Sequence, residues 1–454
     1  MAEIEEINTG DLFCGGGGAS TGCDRACVKL GFSRRGIAIN HWSIAVATMR
    51  RNHPNLETFD SRIEEVIPTD MWHGKMHLLW ASPSCVHHSR ARGGKPRSDQ
   101  ERSLPEHVLP WLTQCDVDNL IVENVPEFID WGPLTDEGQP DKAKKGLFFN
   151  AWLQHIRSLG YNVVDDTLCC ADYGDATTRR RFFLMASKKG LPMPEFPEPT
   201  YGNHKEGLPQ WRAVRECLDL SDRGRSIFGR EHPLAENTIR RIMAGMKKYN
   251  GMDFIVKLRN HETAGSLDEP LNTISTSGAH HMLCSPILVD HLGKGKAHSL
   301  EDPLGTQCTH DRYSLCTPVI IGQQSGSAAR PIDEPCMTIS TAGAIRVATP
   351  VIIDMSRPGM ARNDSSSVRS VDEPAGTLTT CDAMQLGMPV LKDGMVVDIL
   401  LRMLKPSELA AVHGFPSDYV IEGTRRDKVK QIGNSVPVMT AAALCEQILK
   451  QYAA

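Results

Sequence analysis

Four short apolar runs near the start of the chain leave few folds open, because each ends in turn-forming residues and longer amphipathic stretches separate them. Residues 9–13 run into Gly15-Gly16-Gly17-Gly18, and residues 35–40 lead into a helix-like segment. Residues 77–80 end at Ser82-Pro83-Ser84-Cys85, and residues 119–122 at Glu123-Asn124-Val125-Pro126. That rhythm is the signature of βαβ units around a parallel sheet, so the fold class is α/β. Ligands of an open parallel sheet bind beyond the carboxyl ends of its strands, and one cleft is therefore expected to hold Gly15, Cys85 and Glu123.

At 454 residues the chain exceeds one ordinary core, and two or three folding units are expected. Pro192, Pro194, Pro197 and Pro199 read as a boundary after Ser187. The expected division is a first domain over 1–187, a mainly β insertion over 188–398, and a returning segment over 399–454 whose last helix covers 438–449. The insertion carries an internal repeat. Leu267-Asp268-Glu269-Pro270, Leu300-Glu301-Asp302-Pro303, Ile332-Asp333-Glu334-Pro335 and Val371-Asp372-Glu373-Pro374 recur with prolines 33, 32 and 39 residues apart (303−270, 335−303, 374−335). Each copy reads as an acidic turn feeding a Thr-rich strand, with apolar runs between copies. Scaffolding and substrate recognition are both open as roles for it.

Net charge is −5, from 50 basic and 55 acidic residues, so any phosphate contact must come from local clusters such as Arg90, Arg92, Lys95 and Arg97 or Arg179 to Arg181. The 14 cysteines lack zinc-site spacing, and no metal is expected. No apolar run approaches the roughly 20 residues of a membrane span, and the acidic start Met1 to Glu6 lacks a secretion signal's basic head; a cytoplasmic protein is expected.

Three places can carry chemistry. Asp11-Leu12-Phe13-Cys14 followed by four glycines lets backbone approach a ligand closely, or simply makes a tight strand-to-helix turn. Ser20 or Thr21 stands where a dinucleotide fingerprint needs its third glycine. Cys85 follows a Pro-containing turn and precedes a basic segment that favours its thiolate; a structural cysteine is the other reading. Glu123 closes the next apolar run, where partial burial suits an acid and a turn role is equally open.

Glycine loop, Pro-x-Cys, Glu-Asn-Val, Arg-x-Arg, a long insertion and Gly-Asn-Ser-Val-Pro follow one another in the order in which they occur in the DNA cytosine-5 methyltransferase family, which the chain resembles over 1–187 and 399–454. The resemblance implies a Rossmann-like methyltransferase fold, S-adenosyl-L-methionine as methyl donor, and double-stranded DNA bound by a monomer. Asp11, Phe13, Gly15, Gly17 and Gly18 look like the donor loop, and Asn434, Ser435 and Val436 like the last motif, which completes the donor pocket. Asn40, His41 and Trp42 align with the ribose and adenine contacts, His41 replacing the family's usual acidic residue; Asp60 aligns with the contact to the adenine amino group. Pro83 looks like a further donor contact and alone holds the turn before Cys85, because Ser84 stands where the family has the proline directly before the cysteine. Cys85 looks like the nucleophile, Glu123 like the acid, and Arg179 with Arg181 like the arginines facing the base. Arg90, Arg92 and Asn124 are expected on the DNA side. Two other readings remain: the family's RNA branch, which methylates transfer RNA but has a small insertion, and a donor-binding module without catalysis.

Overall fold

The computed structural model describes residues 4–83, 103–136, 138–203, 205–227, 230–248, 253–258, 264–274, 281–289, 297–299, 319–322, 330–331, 345–347, 351–354, 368–370, 384–387 and 397–453. Cys85, Arg90 and Arg92 lie outside them. The chain forms two compact units: Met1–Asp219 with Leu267–Ala279 and Leu404–Ala454, and Leu220–Ser266 with His280–Met403.

In the first unit, seven strands make one sheet: β1 (Glu6–Leu12), β2 (Ser33–Asn40), β3 (Leu56–Asp60), β4 (Leu78–Ala81), β5 (Asn119–Asn124), β6 (Tyr161–Cys169) and β7 (Arg180–Lys188). Their order is β3-β2-β1-β4-β5-β7-β6. The first five run parallel, and β7 pairs antiparallel with both β5 and β6. Leu120, Ile121 and Val122 are fully buried, as a strand covered on both faces requires. Alternation then sorts the side chains. Leu79, Ala81, Leu120 and Val122 join a core with Phe128, Phe149 and Trp152; Leu78, Trp80 and Ile121 join another with Ala19, Ala441 and Leu444.

Helix α1 (Gly18–Leu30) follows β1, α2 (Ser43–Asn52) follows β2, and α3 (Leu147–Ser158) precedes β6. After α4 (Glu236–Lys248) of the second unit, the chain re-enters the first with α5 (Pro406–Val412), α6 (Arg425–Asn434) and α7 (Val438–Leu449). α7 has no side-chain cap of its own at Pro437. Instead Asp175, far earlier in the chain, accepts from the backbone N–H groups of Met439 (3.1 Å) and Thr440 (2.9 Å) and from the Thr440 hydroxyl (2.7 Å). A carboxylate there satisfies N–H groups that every helix start leaves unpaired.

The segment after Ser187 stays with the first unit, which reaches Asp219 rather than ending at the proline cluster. Its anchors are physical: Thr200 and Tyr201 donate to the Asp172 carbonyl, Trp211 Nε1 to the Asp172 carboxylate, and the Tyr173 hydroxyl to Pro197 O.

In the second unit, β8 (Arg225–Ser226), β9 (Phe254–Lys257), β10 (Ala264–Ser266), β11 (His281–Val289) and β19 (Val397–Met403) form a sheet ordered β8-β19-β11-β9-β10, with β12 (Ala297–Ser299) paired to β11. Two further sheets have three strands each: β13 (Val319–Gly322) between β14 (Arg330–Pro331) and β15 (Ile345–Val347), and β16 (Val351–Asp354) between β17 (Val368–Ser370) and β18 (Met384–Gly387). Each acidic Pro segment of the repeat directly follows a short strand, β10, β12, β14 or β17, that pairs antiparallel with an apolar strand. The strand thus comes before the turn. In the first copy Asn272 to Ile274 lie outside any strand, because that copy belongs to the first unit, where Leu271 N donates to Ala176 O and Leu271 O accepts from Thr178 N. The Thr segments of the other copies lie outside the described residues.

Removing the borrowed cap, Asp175→Ala, is expected to lower unfolding stability by about 2 kcal/mol in urea titration, whereas Asp175→Asn, which keeps an acceptor, should cost less.

Candidate active site

The carboxyl ends of β1 through β5 bring together most of the residues singled out in the sequence. β1 ends at Leu12 and the backbone turns abruptly: Phe13 has φ 62°, the one positive value at a non-glycine among the described residues, and Gly15 and Gly17 have φ 52° and 86°. Such values cost a side chain with a Cβ and concentrate where function holds them in place.

The glycines are required for two different reasons. A Cβ on Gly17 would sit 2.1 Å from the Tyr419 hydroxyl, one on Gly18 2.1 Å from Val436 O, and one on Gly22 2.5 Å from the Ala441 Cβ. Those three serve close packing of the returning segment. Gly15 differs, since its Cβ would meet only Phe13 O, at 3.8 Å, and the open side of the loop is there.

Asp11 is fully buried beneath the loop. One carboxyl oxygen accepts from the Ser20 hydroxyl at 2.6 Å, and the other is buried with no partner. Burial pushes this carboxyl up to about 7, against the pull of Ser20 and Arg34. An unpaired buried carboxyl oxygen is rare in a folded protein and costs stability.

Next in the sheet, Asn40 and Asp60 are cross-strand neighbours at the ends of β2 and β3. Asn40 Oδ1 accepts from Trp42 N at 2.9 Å, setting the entry into α2. The Lys430 ammonium lies 4.0 Å from the centroid of the Trp42 ring, within cation–π range. His41 and Asp60 are exposed.

At the other end of the cleft, Glu123 closes β5, buried, with Arg181 Nε 3.1 Å from its Oε1. The two form an ion pair without hydrogen-bond alignment at Nε, since that nitrogen has no hydrogen-bond partner; Arg181 Nη1 donates to Arg180 O. Asn124 is completely buried, its Nδ2 donating to Pro83 O at 3.2 Å and its Oδ1 accepting from Val125 N. Contrary to the expected DNA contact, its amide holds the backbone of the turn that leads to Cys85. Glu123 and the last described residue before Cys85 are thus tied to adjacent strands.

The arginine pair divides in the same way. Arg179, 2% exposed, donates from Nη1 to Gly433 O at 2.9 Å, so this arginine fastens the returning segment. Ser435 and Val436 are also buried: the Ser435 hydroxyl donates to Ile432 O, His413 Nδ1 lies 3.3 Å from it, and Val436 O backs Gly18. They back the loop from its packed side, whereas Asn434 is exposed. His413 is held well below the usual imidazole range by burial and by Arg179 and Arg181, and is neutral. Tyr419, His53, Asp175 and His413 escaped the sequence reading because their partners lie far away in sequence and no local spacing announces them.

Against known proteins, the profile of the C-5 cytosine-specific DNA methylase family matches residues 7–450. The chain belongs to this family. A 217-residue stretch is 26% identical to DNA (cytosine-5)-methyltransferase 1 of Gallus gallus, covering 44% of this chain and 13% of the chicken protein. Another, of 198 residues, is 28% identical to the type II methyltransferase M.XorII of Xanthomonas oryzae pv. oryzae, covering 42% of each. The matches thus span less than half the length of these curated relatives. A solved structure of the Entamoeba histolytica methyltransferase EhMeth is similar over 98% of both chains at 14% identity, with a TM-score of 0.49. Among the described residues of this family member, no helix is long and apolar enough to cross a membrane.

Asp11 makes a pH prediction with a definite sign. Its folded carboxyl holds a proton up to about 7 whereas the unfolded one releases it near 3.8, so native protein binds the extra proton and loses stability as pH rises through that window. Asp11→Asn removes the effect. Thermal unfolding should show the variant gaining on the wild type between pH 4 and pH 8, by on the order of 4 kcal/mol; parallel curves would contradict it.

Proposed function

We propose that the chain is a DNA methyltransferase that transfers a methyl group from S-adenosyl-L-methionine to C5 of a cytosine flipped out of double-stranded DNA, through a covalent bond to Cys85. The observation that carries this reading is the buried Glu123 carboxyl, held by Arg181 on the strand next to the turn that leads to Cys85. Family membership over residues 7–450 supports it.

C5 of cytosine is too weak a nucleophile for direct methylation. Addition of the Cys85 thiolate to C6 makes the ring an enamine, rich in electrons at C5. Glu123, at N3 and the exocyclic amine, answers the charge as it forms, and Arg181 keeps that carboxyl oriented and contributes positive charge. S-adenosyl-L-methionine, when bound, supplies an electrophilic methyl group. Loss of the C5 proton to water or hydroxide and expulsion of the thiolate restore the aromatic ring. Flipping the base costs a few kcal/mol, which phosphate contacts from Arg90, Arg92 and their neighbours offset.

The residues suit this donor. Gly15 leaves the loop open, and the strand that leads into it carries Asp11 with one unpaired oxygen. Asn40, His41, Trp42, Asp60 and the exposed Asn434 complete the donor pocket. The second unit, with its repeated strand modules, reads the target sequence, and the product is sequence-specific 5-methylcytosine of the restriction-modification or phage type.

Bisulfite sequencing of host DNA after expression tests this directly. Protected cytosines should appear in one sequence context with the wild type and vanish with Cys85→Ser, a loss of at least about 10³-fold; Glu123→Gln should lose about 10²-fold or more. Methylation of transfer RNA with unmodified DNA, or full activity of Cys85→Ser, would overturn the proposal.

A further inference from the structure

The packed side of the glycine loop leads into a chain of buried and half-buried polar groups that the proposed chemistry leaves unused. The Tyr419 hydroxyl donates to Gly16 O at 2.8 Å, and the Thr21 hydroxyl to Gly17 O at 2.7 Å. His53, 2% exposed, has Nε2 3.1 Å from the Tyr419 oxygen and 3.4 Å from the Thr21 oxygen, and Nδ1 2.7 Å from Asp24 Oδ2. Asp24 Oδ1 in turn accepts from Arg34 Nη1 at 2.9 Å.

The His53 ring joins the two ends of the chain: Nδ1 lies against the Asp24 carboxylate, and Nε2 against the two hydroxyl oxygens that serve the loop carbonyls. Burial works against the Asp24 charge, but His53 and Arg34 hold its carboxyl at about 2, so the acceptor end of the chain is an anion. The run is therefore continuous: Arg34 donates to Asp24, Asp24 meets His53, His53 meets Tyr419, and Tyr419 donates to Gly16 O.

Its end point is the loop itself. The Tyr419 hydroxyl occupies the space a Cβ on Gly17 would need, and the neighbouring backbone is clamped by Asn52, whose amide donates to Val420 O at 2.8 Å and accepts from Val420 N at 2.9 Å. Tyr419 has little freedom to point elsewhere, and among the described residues Gly16 has no other side-chain hydroxyl on its carbonyl.

We propose that Tyr419 is a positioning residue for the methyl donor, oriented by His53 and Asp24 so that its hydroxyl fixes the Gly16 carbonyl and with it the open face of the loop at Gly15. This rests on reading that loop as the donor site. A loop set this way binds donor without first paying to order itself, so the effect falls on donor affinity and not on the chemical step.

Tyr419→Phe removes one oxygen and keeps the ring that packs on Phe415, 4.7 Å between centroids. The donor Kd from calorimetric titration of S-adenosyl-L-methionine, and the donor KM, should rise about tenfold, with kcat and the KM for DNA within twofold of wild type. A purely structural hydroxyl would lower the active fraction, and so kcat, instead. Asp24→Asn should weaken donor binding less, and the double variant should bind no worse than Tyr419→Phe alone. Wild-type donor affinity in Tyr419→Phe, or additive losses in the double variant, overturns the proposal. If Tyr419→Phe fails to unfold cooperatively, Asp24→Asn decides, and wild-type affinity there overturns it. A wild-type chain that takes up no S-adenosyl-L-methionine overturns the donor-site reading itself, and this proposal with it.

Discussion

The fold of the first unit depends on backbone meeting backbone where the glycine loop touches the returning segment. Val436 O comes so close to Gly18 that a single methyl group would collide with it at 2.1 Å, and Gly22 gives Ala441 the same intimacy one helical turn later. Close approach of this kind excludes water and leaves no slack, so loop and segment take one relative position. Arg179 to Gly433 O and Asp175 to the start of α7 then tie that segment to the strands bearing the proposed catalytic groups. Residues hundreds of positions apart in sequence form one wall.

Buried charge is handled in three ways within that wall. Glu123 is answered by a guanidinium beside it. Arg34 is satisfied by Asp24, Thr9 and Ser20, a complete set for a fully buried cation. Asp11 has one oxygen served and one left over, and its carboxyl accordingly keeps its proton to near neutrality. A fully satisfied group supports the fold, whereas an unsatisfied one beside an open loop costs stability that bound ligand can return.

Much of the architecture was legible from periodicity. The strands leading to Gly15, to Pro83 and to Glu123 lie where apolar runs meet turns, and α7 has the limits expected from its pattern, because a sheet covered on both faces needs continuous apolar strands. What failed to show was direction and partnership. Asn124 and Arg179 looked like groups for a substrate, yet both point inward, since a side chain's orientation depends on tertiary neighbours that a motif does not contain. Tyr419 and His53 are 366 positions apart, and nothing local in either suggests the other. The repeat was visible in its prolines, but the short strands directly before them were not, because they are only two or three residues long.

The central claim is that the returning segment shapes the loop proposed to hold the donor, by contact at Gly18. Calorimetric titration of S-adenosyl-L-methionine into Gly18→Ala tests it most directly, with cooperative unfolding checked on the same sample. A folded variant should bind the donor at least about tenfold more weakly, because the added methyl pushes Val436 and the loop apart. Unchanged donor affinity in a cooperatively folded Gly18→Ala chain would contradict the account.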